Sequence, residues 1–562
     1  MKPLLTGLDT VAAEAGRLRG KRVALVANPA SVTSRFVPAL DALLAADVDV
    51  RAVWGPEHGA AGAAQDMEAV ADGGAGSIPV VSLYGDSFDD LSPKPELFRG
   101  IDAVVCDLPD VGSRYYTFVW TTALVMRAAA MRRVPVWVLD RPNPLGGLVV
   151  EGNLPEPPLL SFVGLYPVPV RHGLTPGEMA LYVNAVHGLE CELTVVPLRE
   201  GTGLAARSRI GECPAWVLPS PNMPSAETAL LYPGGCLVEG TNLSEGRGTT
   251  RPFHFVGAAW LSPGAAADAA NALGLPGVAF RPHAFRPMFQ KHAGVLCGGV
   301  EVHVLEPASF QPYATYLHLL KALRDLDPAS FRWRTERYEY RDDVPAIDLL
   351  TGTARYRSLV DAGEPLAPWL ATFARDEAAF RGQREPHLLY PPERKRPGVL
   401  LFVGAHESGK TTLLVKVIER LAAEGLRVGT VKHTDHEYET DAVGKDSQRH
   451  AEAGANPALL VAGGRTALHA RHTRKPGLEE VLSRGFEGCD LVLVEGYKRA
   501  PYPKVEVCRA ATGRPTVLGD DPELVAVVTD TETPHPAGVP RLAFDNLDGL
   551  VAATKKALGL TR

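Results

Sequence analysis

Residues 404–411, "GAHESGKT", fit the pattern G-x-x-x-x-G-K-[ST] with no departure. The chemistry of such a loop is phosphate binding. Gly404 and Gly409 let the backbone turn its N–H groups inward through Ala405, His406, Glu407 and Ser408, and the helix that follows adds partial positive charge. Lys410 is expected to reach the β and γ phosphates, Thr411 to place its hydroxyl on Mg2+, and Thr412 to complete the nucleotide-binding set. A metal-side carboxylate is expected at the end of another apolar strand, where "CDLVLVEGYK" (489–498) presents Glu495, acting on the ion through water. The alternative for Glu495 is a solvated strand end. There is no N-K-x-D stretch to read guanine; Asp530, closing "VAVVTD" (525–530), could accept hydrogen bonds from a guanine edge.

A second set of residues points to different chemistry. Glu57, in "WGPEHG", follows an apolar run and is flanked by Trp54, Pro56 and His58, a setting that would raise its pKa toward that of a general acid. Glu239 and Glu245, in "VEGTNLSEGRGTTRPF", come with Asn242, Arg247 and Arg251. Carboxylates placed across a sugar, with amides and aromatic rings nearby, are the equipment of glycoside hydrolysis. Arg247 or Arg251 would suit a carboxylate on that sugar, because a guanidinium binds carboxylates in a fork; for Arg251 a loop-bracing ion pair is the competing role. Asp107 and Asp140, at strand ends, are read as turn caps.

Positioning these groups requires strands and loops of a particular kind. Apolar runs "RVALVA" (22–27), "DVRAVW" (49–54), "IPVVSLY" (78–84), "IDAVVCDL" (101–108) and "VPVWVLD" (134–140) alternate with Ala- and Leu-rich helical stretches. That alternation predicts a Rossmann-like parallel sheet with helices on both faces, and the polar loops after each run lie where such sheets hold their sites. Residues 1–150 form this domain; residues 151–380 form a smaller α/β domain in which Thr175 caps a helix with Glu178. The Arg-, Glu- and Pro-rich residues 381–396 read as a linker, and 397–562 as a P-loop NTPase-type α/β domain.

The totals narrow the classes. A chain of 562 residues exceeds one hydrophobic core. The net charge of -7 argues against a general nucleic-acid binder. Seven scattered cysteines, never spaced C-x-x-C, fit neither a zinc site nor a disulfide framework. The first residues lack an apolar h-region and no segment is long enough to cross a bilayer, so a cytoplasmic protein without a membrane anchor is expected.

Two family resemblances attach to these motifs. "GAHESGKTTLL", "RVGTVKHTDHEYETDAVGKDSQRHAEAGA" (427–455) and "LVLVEGYKRAPYPKVEV" (491–507) resemble MobB, an accessory protein of molybdopterin guanine dinucleotide biosynthesis. The resemblance implies GTP with Mg2+, weak GTPase activity at most, a homodimer through this domain and work beside the MobA guanylyltransferase. It also implies that His433, His436, Asp441, Asp446 and Arg449 belong to the functional surface, while Asp435 stands where the family commonly has histidine.

From about 5 to 380, "NPASVT", "GPEHG", "VCDLPDVGSRYYT", "LDRPNPLGG" and "PSPNMPSAETALLYPGGCLVEGTNLSEGRGTTRPF" resemble the NamZ family of exo-β-N-acetylmuramidases. This implies removal of a terminal N-acetylmuramic acid from peptidoglycan fragments in a cleft between two domains. Glu57 is then the leading catalytic acid, with His58, Glu239 and Glu245 beside it. Asp110, Arg114, Tyr115, Asn143, Asn222, Asn242, Arg247 and Arg251 would line the pocket. The whole chain therefore reads as a bifunctional fusion; the alternative is an active GTP-binding half joined to a degenerate sugar-binding scaffold.

Overall fold

The computed structural model describes residues 4–57, 59, 73–75, 78–200, 203–205, 207, 211–212, 216–390, 397–434, 458–462, 465–469, 476–482, 486, 489–513, 516–519, 521–532, 536 and 538–560. The chain divides into two compact units, Met1–Glu393 and Arg394–Arg562.

The first unit is built on a sheet whose strands lie in the order Gly73–Ala75, Ile78–Ser82, Asp49–Gly55, Arg22–Ala27, Ala103–Asp107, Val136–Leu139 and Leu193–Val196. All pairs are parallel except the short edge strand Gly73–Ala75. Leaving that edge aside, the order is 3-2-1-4-5-6, the doubly wound arrangement that the alternating runs predict. Central strands are apolar throughout because helices cover both faces: Arg22–Ala27 buries every residue after the first, and Ala103–Asp107 buries all. One of those helices, Phe118–Ala130, is itself apolar almost all round.

The sheet does not stop at residue 150. Its last strand, Leu193–Val196, returns after the helix Pro176–Val186, which starts at the predicted Thr175–Glu178 capping box. Beyond it, the strands Phe255–Ala258, Cys297–Val304 and Val278–Phe285 form an antiparallel sheet packed by the helices Pro263–Asn271 and Pro312–Leu326.

Much of the stretch expected to be linker belongs to this unit. The helix Phe373–Arg384 runs into it, and the buried Arg384 guanidinium donates to the carbonyls of His172, Gly173 and Gly147. Tyr390 is buried, with its hydroxyl donating to Asp140 and accepting from Leu198 N at 2.8 Å. Composition alone misreads this stretch because buried polar groups such as Arg384 and Tyr390 are matched by partners distant in sequence.

The second unit is a parallel sheet in the order Val428–Lys432, Leu491–Glu495, Gly398–Val403, Lys504–Cys508, Leu524–Thr529 and Arg541–Leu542. The helices Lys410–Ala423 and Leu547–Ala557 cover one face of its core. A separate hairpin joins Ala458–Ala462 to Arg465–His469. Among the described residues no helix is long and apolar enough to cross a membrane.

Candidate functional site

In the first unit the loops after the strands converge on a partly open pocket. Glu57, two residues past the strand Asp49–Gly55, is 5% exposed and accepts a hydrogen bond from Thr117 Oγ1 at 2.5 Å. Tyr115, Asn222, Glu239 and Arg247 line the same pocket, as do Tyr116, Tyr338 and Glu339. Burial pushes the phenols of Tyr115 and Tyr116 well above their ordinary range, so they line it as neutral groups.

Glu239 is held as an anion. Burial opposes the charge, but Arg247 Nη2 at 2.5 Å, Tyr338 donating at 2.8 Å and the charge of Lys291 outweigh it, and the carboxyl lies below its usual range. Arg247 also approaches Glu245 at 3.4 Å, and Lys291 reaches the other Glu245 oxygen at 2.7 Å. Glu245 and Asn242 do not line that pocket; they line a neighbouring groove that shares Glu239 with it. Asn242 braces that wall, accepting from Arg332 N at 2.9 Å and donating to Ser330 O at 2.9 Å.

Replacing Arg247 by alanine leaves Glu239 and Glu245 buried with reduced compensation, and a loss of about 3–5 kcal/mol of stability is expected. The sign with pH follows from the lowered Glu239 value: the pair's contribution is complete above the ordinary carboxylate pKa of about 4.3 and is lost as pH falls through the folded one. The stability gap between parent and Arg247→Ala should therefore narrow in acid, which denaturant titrations at several pH values would check.

Four predicted site residues lie elsewhere. Arg114 is fully buried and donates to the carbonyls of Asn153, Val168 and Leu350 at 2.8–3.0 Å, pinning three segments together. Asn143 donates to Leu174 O at 2.8 Å and accepts from Leu145 N at 2.9 Å. Asp110 accepts from Gly112 N at 2.8 Å and lines a different pocket, of about 110 Å³, beside the Arg141–Asp107 ion pair at the point where strand order reverses. Arg251 is a third exposed and bound to Glu301 at 2.8 Å and Glu227 at 3.1 Å. Asp107 is thus an ion-pair partner as well as a strand end, and Asp140 accepts from Thr175 and Gly177 N, both at 2.7 Å. His58 lies outside the described residues.

In the second unit the loop has the geometry its sequence demands. Gly404 and Gly409 have φ of 154° and 91°, and Glu407 is left-handed at 63°. A Cβ on Gly404 would lie 2.2 Å from Val507 O, so only glycine fits there. Lys410 Nζ folds back onto Ala405 O at 2.6 Å; burial lowers its pKa, Lys432 adds to this and Glu495 opposes it. Thr411 Oγ1 lies 2.8 and 3.0 Å from the two Glu495 oxygens.

The residues present fit a nucleotide. Ser408 is fully buried with its Oγ unpartnered, and the loop's cradle has no room for a side chain at Gly404. Asp530 is exposed and accepts from Ala510 N at 2.6 Å. His433 packs at a tilt of 50° on Tyr497, ring centres 4.3 Å apart, and donates its backbone N–H to Glu495 O. His436, Asp441, Asp446 and Arg449 lie outside the described residues, as does Asp435.

Sequence reasoning missed Thr117, Tyr338 and Glu339 in the first unit, and Arg509, which stacks on Phe544 at 4.3 Å beside Gly409, in the second. The tyrosine-rich "RYEYRDD" offered the only local signal for two of them.

A doubly wound α/β sheet with an acid-lined pocket at its carboxyl edge is the architecture of a protein that binds a small ligand there, and the second unit is that of a P-loop nucleotide-binding protein. Residues 23–227 and 230–390 match the N- and C-terminal models of exo-beta-N-acetylmuramidase NamZ, and 399–530 match molybdopterin guanine dinucleotide synthesis protein B, MobB. Peptidoglycan beta-N-acetylmuramidase NamZ of Bacillus subtilis is 37% identical over 398 residues, 68% of this chain and 91% of that protein. The molybdopterin-guanine dinucleotide biosynthesis adapter protein of Haemophilus influenzae is 37% identical over 149 residues, 26% of this chain and 80% of that protein. A crystal structure of a DUF1343 family protein from Bacteroides fragilis matches 69% of this chain and all of its own at TM-score 0.62 and 30% identity. The chain belongs to both families, NamZ through its first unit and MobB through its second.

Proposed function

We propose that the first unit hydrolyses the bond holding a terminal N-acetylmuramic acid on a peptidoglycan fragment. The observation that carries this is the pocket uniting Glu57 with the Glu239–Arg247 pair inside the stretch that matches both NamZ models. Glu57 serves as the acid that protonates the leaving oxygen. Arg247 is the candidate for the lactyl carboxylate, since it lines the pocket beside its partner Glu239 and Arg251 does not line it.

We further propose that the second unit binds GTP with Mg2+ as an accessory to a MobA-like guanylyltransferase, as a homodimer through this unit. The backbone of Gly404–Gly409 would hold the phosphates, Lys410 would turn from Ala405 O to them, and Thr411 with Glu495 would hold the ion. When bound, Mg2+ neutralises phosphate charge. All six described cysteines are free and five are buried, which suits the cytoplasm.

The test uses the full chain with the peptide-free disaccharide of N-acetylmuramic acid and N-acetylglucosamine. Free N-acetylmuramic acid should appear at a rate that GTP and Mg2+ do not alter. A rate that requires GTP would overturn the reading of two separate activities.

A further inference from the structure

The phosphate loop of the second unit sits where the strand order of its sheet reverses. The strand Gly398–Val403 that leads into it lies between Leu491–Glu495 on one side and Lys504–Cys508 on the other, and all three run parallel. In such sheets a ligand spans the crevice beyond the carboxyl ends of the central strands, so both flanking strand ends face it. On one side Thr411 Oγ1 bonds to Glu495, and Lys432 Nζ stands 3.8 Å from the same carboxylate. With the ion and the terminal phosphate on that side, the nucleoside falls to the other.

The other side carries a flat cation. Arg509, the first residue after Lys504–Cys508, lays its guanidinium over the Phe544 ring, 4.3 Å from the ring centre. A Cβ on Gly409 would meet Arg509 Nη2 at 3.4 Å and Phe544 Cε1 at 3.6 Å, so the pair lies directly against the last glycine of the phosphate loop. Both halves are held in place. Phe544 packs on the core shared by the helices Lys410–Ala423 and Leu547–Ala557, and Arg509 O accepts from Thr512 N at 3.0 Å and from Thr512 Oγ1 at 2.7 Å.

Asp530 joins the same corner. It is the first residue after the next strand, Leu524–Thr529, and its Oδ1 accepts at 2.6 Å from the backbone N–H of Ala510, the neighbour of Arg509. Arg509 and Asp530 are exposed, while Phe544 is half-buried. A guanidinium backed on one face by an aromatic ring offers its other face to a second planar group, and a purine is such a group. Stacking alone is blind to the base. A carboxylate beside the platform supplies the discrimination, because guanine presents two N–H donors side by side, on N1 and N2, and adenine does not.

We propose that the Arg509–Phe544 pair is the platform on which the purine of the bound nucleotide stacks, with Asp530 accepting from the guanine edge; this rests on the reading of the second unit as a GTP-binding module. The phosphates then lie on Gly404–Lys410 and the base beyond Gly409, on the side away from Glu495. Phe544 acts through Arg509 by fixing its plane and is a positioning residue. A phosphate contact would need only the charge of Arg509, whereas stacking needs the plane, and this difference makes the two roles separable.

The experiment titrates the full chain by calorimetry, in the presence of Mg2+, with GTP, xanthosine triphosphate and inorganic tripolyphosphate, for the parent, Arg509→Ala, Arg509→Lys and Asp530→Asn. Both side chains are exposed, so the variants should keep the parent fold, which a melting curve checks. Arg509→Ala is expected to weaken GTP binding about 5- to 100-fold and to leave tripolyphosphate within about twofold of the parent. Arg509→Lys keeps the charge without the plane and should remain weakened for GTP. Asp530→Asn keeps an oxygen for Ala510 N and turns one acceptor into a donor, so it should prefer xanthosine triphosphate, whose base has a carbonyl where guanine has its N2 amine. Parent-like GTP affinity in Arg509→Ala or Arg509→Lys, equal losses of GTP and tripolyphosphate, or an Asp530→Asn protein that still prefers GTP would overturn the proposal while leaving GTP binding by this unit in place. A parent that binds no GTP would overturn the GTP reading and this inference with it.

Discussion

Glu57→Gln should lower the release of N-acetylmuramic acid from the disaccharide by about 10²–10⁴-fold, the range that a positioned proton donor contributes. Glutamine keeps the shape of the side chain and an oxygen to accept from Thr117, so the pocket wall and the thermal midpoint should hold. What it removes is the proton. Binding should persist, and the loss should appear in kcat, measured by steady-state kinetics alongside a melting curve of each protein. A variant that releases the sugar within tenfold of the parent rate would remove Glu57 from the chemistry.

The second large effect is expected in the other unit. Lys410→Ala should weaken GTP binding about 10- to 100-fold, the equivalent of losing hydrogen bonds to a charged group. The side chain donates to Ala405 O and is partly exposed, so its removal should cost little stability. Calorimetric titration of the full chain reads the affinity, and the same preparation should release N-acetylmuramic acid at the parent rate. Unchanged GTP affinity would place the phosphates somewhere other than this loop.

How much of this was legible in the sequence depended on distance along the chain. The phosphate loop is local: strand, glycines, lysine and helix follow one another within 398–423, so the pattern contains nearly all its physics. The strand-end position of Glu57 was legible for the same reason, because "VWGPEHG" carries both the strand and its exit. Arg114 and Asn143 were placed in the pocket by the NamZ resemblance, and a motif match cannot show that carbonyls from distant segments already take up their donors. Glu339, flanked by Tyr338 and Tyr340, was missed because its place in the pocket depends on a left-handed backbone that only tertiary contacts maintain. The extent of the first sheet was misread in the same way: Leu193–Val196 is four residues long and lies far from the run it joins, Val136–Leu139.

The turn Arg337–Tyr340, in which Arg337 donates to Asp86 O and Tyr340 to Gly85 O, also bears on how the first unit acquires activity during folding. Glu57, Thr117, Glu239 and Glu339 come from four stretches separated by whole strands and helices, so no wall of the pocket can form early from neighbouring residues. Contacts between such remote stretches appear only after the loop-closure entropy of the intervening chain has been overcome. On the proposed reading of this pocket, catalytic competence should be acquired late in folding and lost early in loosening, so activity should fall before the far-UV circular dichroism signal in a denaturant titration. A molecule that keeps its central strands but releases the stitches at Gly85 and Asp86 has most of its secondary structure and none of its active geometry.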